Sequence, residues 1–170
     1  WIAAIGISVT LTQCTELAGM EVDAETGELK SESASLSQAL SDEEIQGILF
    51  MREEEKLARD VYLYLYEIHP LRPFLNISKS EQAHMDAMKY LIDTYELADP
   101  VGDNPPGVFQ NEELQDLYNE LTEKGSTSRE EALKVGALIE EVDILDLQKE
   151  LEEIAQNEDV IRVFTNLCSA

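Results

Sequence analysis

The chain has 170 residues, enough for one domain with a sizeable core, or for one domain and a tail. Its formal net charge of −24 and its pI near 4.1 argue against nucleic acid or an anionic membrane surface as a partner and suit a surface that meets cations. Cys14 and Cys168 are too few for a disulfide framework, neither sits in a CxxC pair, and two histidines are too few for a His-rich metal site.

Residues 1–13 carry no charge, and the run is too short to span a bilayer. It has the composition of the apolar part of a secretory signal without its basic start. Leu11-Thr12-Gln13-Cys14 resembles a lipoprotein processing box, with Gln13 where a small residue is expected. Residues 1–14 are therefore expected to be a clipped export or lipoprotein signal; a buried first strand or a fused remnant is the alternative. The expected location is extracytoplasmic, secreted or lipid-anchored, with membrane attachment only through a lipidated Cys14. Residues 15–40, rich in Glu, Ser, Ala, Thr and Gly without a sustained period, read as a flexible linker. The folded domain is expected over residues 41–170.

Ser41-Asp42-Glu43-Glu44 is a capping box. An apolar-periodic segment runs from it to Ile68, where His69-Pro70 stops the helix. One stripe of this first helix reads Ile45, Ile48, Arg52, Glu55, Arg59, Tyr62, Tyr66, so Glu55 and Arg59 lie on a face otherwise built for burial, while Glu53 and Glu54 are expected in solvent. Pro70 to Ile77 reads as a connector, with Ser78 or Ser80 capping a second helix over about Lys79 to Glu96. Its stripe is Ile77, Glu81, His84, Met88, Leu91, Tyr95. Glu81 and His84, three residues apart, share a helix face and can grip one metal ion from one side. They lie in the apolar seam, where exposure to solvent does not explain them.

Asp99-Pro100 to Pro105-Pro106-Gly107 is a loop with strong breakers, and Asn111 to Leu121 predicts a short helix ended by Gly125. A connection of that length can cross a bundle from end to end. Ser128-Arg129-Glu130-Glu131 is a second capping box, opening a third long helix to about Glu153. Its expected core stripe is Leu133, Gly136/Ala137, Glu140, Ile144, Leu147, Leu151, with Asp143 at the edge of the same face and Glu141 pointing away. Gly136 in mid-helix costs about 1 kcal/mol relative to Ala and implies the close approach of a neighbouring helix. Asn157-Glu158-Asp159 opens a fourth helix with Val160, Ile161, Val163, Phe164 and Leu167 as its core side. That helix is short beside the others, so the chain is expected to be clipped at its C-terminal end.

The fold expected is all-α: a four-helix bundle whose long second-to-third connection carries a short extra helix and whose fourth helix is truncated. Three long helices each place a carboxylate in an apolar seam, Glu55, Glu81 and Glu140, and the second adds His84. Buried unpaired carboxylates are costly, and a divalent cation pair removes that cost. Carboxylate with imidazole suits iron or manganese, with zinc open.

These residues carry a resemblance. Glu55-Lys56-Leu57-Ala58-Arg59-Asp60-Val61-Tyr62 resembles the first-helix pattern of rubrerythrin-type ferritin-like proteins, Glu81-Gln82-Ala83-His84 their second-helix Glu-x-x-His, and Glu140 with Asp143 their third-helix acids. More closely, the blocks Met51 to Tyr62, Ser80 to Ala87 and Gly136 to Leu147 are similar to an uncharacterised exported family, domain of unknown function 2202, to which a ferritin-like fold is assigned. The resemblance spans about residues 41–168. It implies a di-iron carboxylate centre held by Glu55, Glu81, His84 and Glu140, with Arg59 and Asp143 behind the ligands and Tyr62 as a candidate electron or proton donor. The fourth-helix ligands of that pattern are absent from Val160 to Ala170; in the resembling family a His follows the segment matching Asn166-Leu167. Three functions are expected to compete: a di-iron centre handling O₂ or peroxide or oxidising Fe(II), a non-catalytic extracytoplasmic metal-binding module, and a structural bundle with a degenerate, metal-free site. Metal ions are the expected partners, with a second copy of the chain as a further one.

Overall fold

A computed structural model describes residues 39–169. The signal read over 1–14, Cys14 with it, and the linker as far as residue 38 lie outside the described residues. Within them there are five helices and no strand: α1 (Asp42–Ile68), α2 (Arg72–Thr94), α3 (Glu112–Ser126), α4 (Arg129–Lys149), which ends in a π-helical turn (Glu150–Ile154), and α5 (Glu158–Leu167). No helix of the described residues is long and apolar enough to cross a membrane.

α1 starts as its sequence dictates. The Ser41 hydroxyl accepts from the Glu44 N–H at 3.1 Å, and the Glu44 carboxylate accepts from the Ser41 N–H at 2.9 Å. The other oxygen of Glu44 accepts the N–H groups of Gln156 and Asn157 at 2.7 and 2.6 Å. One carboxylate thus caps α1 and holds the entry to α5.

Further along, α1 departs from the simple amphipathic pattern. Every residue from Met51 to Ala58 is buried. A helix buried all round is a central one, yet this stretch includes Arg52, Glu53, Glu54, Glu55 and Lys56. Glu53, expected in solvent, instead accepts the backbone N–H groups of Gln110 and Asn111 at 2.6 and 3.0 Å. Arg52 pairs with Asp99 at 3.0 Å and donates to the Met85 carbonyl at 2.7 Å. The fully buried Lys56 donates to Asp60 and to the Pro105 carbonyl, its ammonium 4.4 Å from the centre of the Phe109 ring. Asp60 in turn accepts the Gly107 N–H at 2.9 Å. Gly107 has φ +78°, and a Cβ there would collide with the Tyr118 ring, so only glycine fits. The segment joining α2 to α3 is therefore strapped along α1 by charged side chains that sequence periodicity would send elsewhere.

Two boundaries, one capping box and one register differ from expectation. α2 begins at Arg72, seven residues ahead of the expected start at Lys79, with Pro73 in its first turn and no side-chain cap. Proline lacks the N–H that a first turn leaves unpaired anyway, so it opens this helix instead of interrupting it. Ser78 caps nothing; its hydroxyl donates to the Leu75 carbonyl. α3 runs through Gly125 to Ser126 because that glycine serves packing: an added Cβ would lie 2.5 Å from Leu65 Cδ2. The Ser128 hydroxyl caps α4, but Glu131 pairs with Lys134 and leaves the second box half made. α4 also buries a different face. Ala132, Val135, Gly136, Ile139 and Leu147 are inside, whereas Leu133 and Ile144, expected in the core, are 52% and 44% exposed. The two faces are about one residue, ~100°, apart, both carry apolar side chains, and contact with α1 selects between them. Gly136 is the contact: its Cβ position is 3.2 Å from the Tyr62 ring, the close approach its sequence implied. On α5, Val160, Val163, Phe164 and Leu167 are buried as expected, and Ile161 is exposed.

Two apolar clusters result. One joins the C-terminal half of α1 to Phe74, Phe109, α3 and the start of α4; the other joins Ile48 and Met51 to Met88, Leu91, Ile92, Leu147 and α5. The charged stretch of α1 lies between them, a polar layer inside the molecule. Asp60→Ala leaves the Lys56 ammonium buried without its anion, so it is expected to lower unfolding stability by about 3–5 kcal/mol. Urea denaturation measures this, and a loss under about 1 kcal/mol would show that water reaches the pair.

Candidate metal centre

The polar layer contains three of the four ligand residues the sequence singled out. Glu55 comes from the middle of α1, and Glu81 and His84 from one face of α2. The His84 Nδ1 lies 3.2 Å from Glu55 Oε2 and 3.1 Å from Glu81 Oε2. One ligand atom from each of the three residues lies within 4.8 Å of the others, close enough to hold one metal ion. Glu55 is 0% and Glu81 5% exposed.

Their polar atoms are not all used. Glu55 Oε1 and His84 Nε2 are buried without a hydrogen-bond partner, and so are Glu54 Oε2 and Asp143 Oδ1. Four such atoms in one layer is an unusual concentration, because buried polar groups are ordinarily paired. Carboxylate oxygens with an imidazole nitrogen form a donor set suited to iron, manganese or zinc.

Sequence reasoning missed Glu54. It was expected in solvent and is 5% exposed, because α1 is covered on that side by α3 and α4. The signal available was the unbroken run Glu53-Glu54-Glu55, which no single-sided helix can bury. The other expected site residues divide. Asp143 interacts electrostatically with Glu81, His84 and Glu140 and so belongs to the cluster. Glu140 is exposed and is not among the converging ligands, since the rotation of α4 carries it out of the seam. Its carboxylate accepts the Tyr62 hydroxyl at 2.7 Å. Tyr62 is 1% exposed, packs on Phe74 and also approaches the Gly136 carbonyl at 3.0 Å. Arg59, expected with Asp143 behind the ligands, forms an ion pair with Asp60. Its guanidinium donates to Asp60 at 2.8 Å and to Gln82 at 2.7 Å, tying α1 to the strap and to α2.

Crowding of acids in a dry layer displaces their titration. Burial, and then the charges of Asp146 and Asp143, push Glu54 up to about 9. Burial pushes Glu55 up to about 8, against the opposing pull of His84. Burial and the charge of Glu81 push Asp143 up to about 7. Hydrogen bonds to Glu55 and Glu81 push His84 up to about 10. Burial and the Glu140 carboxylate push the Tyr62 phenol up as well. The metal-free cluster therefore stores protons, and a cation entering it competes with them.

The sign for stability follows from these directions. The His84 contribution is complete below its unfolded value of 6.5 and is lost as pH rises toward about 10. Glu54, raised from 4.5 to about 9, likewise costs stability as pH rises through that window, because its folded form holds the proton more tightly. The melting temperature of the metal-free protein is expected to fall between pH 6.5 and 9. Glu54→Gln, fixed in the neutral form, is expected to flatten the fall. Thermal melts across that range measure it; identical slopes in parent and variant would mean that Glu54 ionises normally.

Comparison with known proteins adds kinship. The model of the family described as Uncharacterized protein domain (DUF2202) matches residues 44–170. The uncharacterized protein MJ0754 of Methanocaldococcus jannaschii is 52% identical over 130 residues, 76% of this chain and 70% of that one. The crystal structure of hypothetical protein MJ0754 from Methanococcus jannaschii matches with a TM-score of 0.76 at 51% identity, covering 80% of this chain and 77% of that chain.

Proposed function

The chain belongs to the DUF2202 family, and from its cluster we propose that it is a metal-binding protein of ferritin-like type whose Glu55, Glu81 and His84 hold a redox-active divalent cation, iron first and manganese or zinc as alternatives. The observation that carries this reading is the convergence of three ligand residues within 4.8 Å, with Glu55 Oε1 and His84 Nε2 buried and unpaired beside them. A Glu on one long helix and a Glu-x-x-His on the next, meeting at one point, support the ferritin-like bundle, in which α1, α2, α4 and α5 are the four helices and α3 belongs to the crossover.

When bound, iron would supply reaction with O₂ or peroxide, or turnover of Fe(II), in a di-iron form if a second ion enters on the Glu54 and Asp143 side. The chain's own residues do the rest. Glu55 and Glu81 offer charge from two helices, and His84 offers a neutral nitrogen once its proton leaves. Asp143 adds negative charge behind them. Tyr62 donates its hydroxyl to Glu140 at the edge of the layer, so that carboxylate would take the phenolic proton if Tyr62 gave an electron to an oxidised metal. The uncharged run 1–13 supports export, and with it a cluster working outside the cytoplasm.

A metal-free structural role is favoured by one observation. His84 Nδ1 already reaches both carboxylates, so a Glu55–His84–Glu81 ion network can stand without a cation.

Adding Fe(II), Mn(II) or Zn(II) to chelator-stripped protein separates these readings. Binding is expected to raise stability by about 2.7 kcal/mol at a hundredfold excess of ligand over Kd. His84→Ala and Glu81→Ala are expected to weaken it about 100-fold or more, at or beyond what loss of an outer partner costs. Calorimetry and melts with and without chelator read the effect; no uptake of any of the three ions would leave the structural network as the function. Oxidation of Fe(II) by O₂ or peroxide, lost in Glu81→Ala, would distinguish an enzyme from a binding module.

A further inference from the structure

Beside the cluster, on its Glu54 and Asp143 side, lies a second feature that the Glu55, Glu81 and His84 site does not use. α1, α3 and α4 line a cavity of about 50 Å³ that is partly open to solvent past Leu138, itself 39% exposed. Its walls include Leu57, Ala58, Leu117, Leu121, Ile139 and Val142, and its only polar residues are Glu54 and Asp143. Leu57, Ala58, Leu121 and Ile139 are each at most 6% exposed. Such a volume exceeds the ~10–15 Å³ that one water-sized occupant needs and falls well short of the ~150 Å³ that takes benzene. Size restricts the occupant to a molecule of a few atoms, and the seven apolar wall residues favour an apolar guest, while Glu54 Oε2 and Asp143 Oδ1 offer water a place at one end only.

We propose that this cavity is a binding site for a small apolar molecule of dioxygen size, held between α1, α3 and α4 against the carboxylate side of the metal cluster. The position of the two carboxylates connects the compartments. Glu54 is the neighbour of Glu55 on α1, and Asp143 interacts electrostatically with Glu55, Glu81 and His84 while lining the cavity. A guest resting on the Leu57 and Ile139 side chains shares the cavity with this pair, each of which interacts electrostatically with a ligand residue. Its relevance to a cation rests on the reading above, whereas its occupancy does not.

Xenon, an apolar monatomic probe, tests the site in metal-free protein. Crystals under xenon pressure are expected to show xenon inside the cavity, and in solution dissolved xenon is expected to shift the methyl resonances of Leu121 and Ile139. Val142→Leu, at a half-buried wall position, and Ala58→Val, at a buried one, are expected to fill the space and abolish both signals. Either variant suffices, so failure of one to fold leaves the other. Ordered water in the cavity, no xenon at all, or xenon retained in a folded, cavity-filled variant would overturn the proposal. Metal titration of the same variants keeps the two readings apart. Xenon without metal uptake removes the metal reading alone, and metal uptake without xenon removes the cavity alone.

Discussion

Five consecutive charged residues, Arg52 to Lys56, lie on a helix buried on every side, and the rest of the molecule is arranged to satisfy them. An unpaired charge in an apolar interior costs several kcal/mol, so each must find a partner or hold its proton. Arg52, Glu53 and Lys56 find theirs in the segment between α2 and α3, through Asp99, the backbone of Gln110 and Asn111, and the Pro105 carbonyl. That requirement fixes the path of a segment with almost no regular structure. Among the described residues Glu55 meets His84 as its one cationic partner and Glu54 has no ion pair, and there the acids accumulate.

The strap and the cluster are thus two outcomes of one constraint. On the strap side, bases and backbone N–H groups match the acids, and the charges become cross-links. On the cluster side, Glu54, Glu55, Glu81 and Asp143 outnumber the single imidazole, and burial raises three of these four acids toward or above neutrality. A cluster of that kind is stable in one of two conditions, protonated or metal-loaded, and pH and metal concentration become a single control on its stability. The apolar clusters on either side keep the layer dry, which makes both conditions matter.

α4 shows how tertiary contact overrides a local pattern. Leu133, Ala137, Glu140 and Ile144 form a legitimate apolar stripe, and so do Ala132, Val135, Gly136 and Ile139. Tyr62 favours the second, because its ring comes within 3.2 Å of the Cβ position at Gly136 and its hydroxyl reaches the Gly136 carbonyl. The turn that follows brings Asp143 toward the cluster and swings Glu140 to its rim.

The sequence by itself determined the helices, their main boundaries at Ser41, His69 and Ser128, and the pairing of Glu81 with His84, because capping boxes, breakers and i, i+3 spacing are local physics. Periodicity also marked Glu55 as an inward acid, but it marked Glu140 in the same way, and only packing decided that the first meets Glu81 and His84 and the second does not. Tertiary structure alone decided that α1 is central, that Glu54 is therefore buried, that Arg59 serves Asp60 and Gln82, and which face α4 turns inward. Periodicity assumes one buried face for each helix, and a helix surrounded by its neighbours has none to choose.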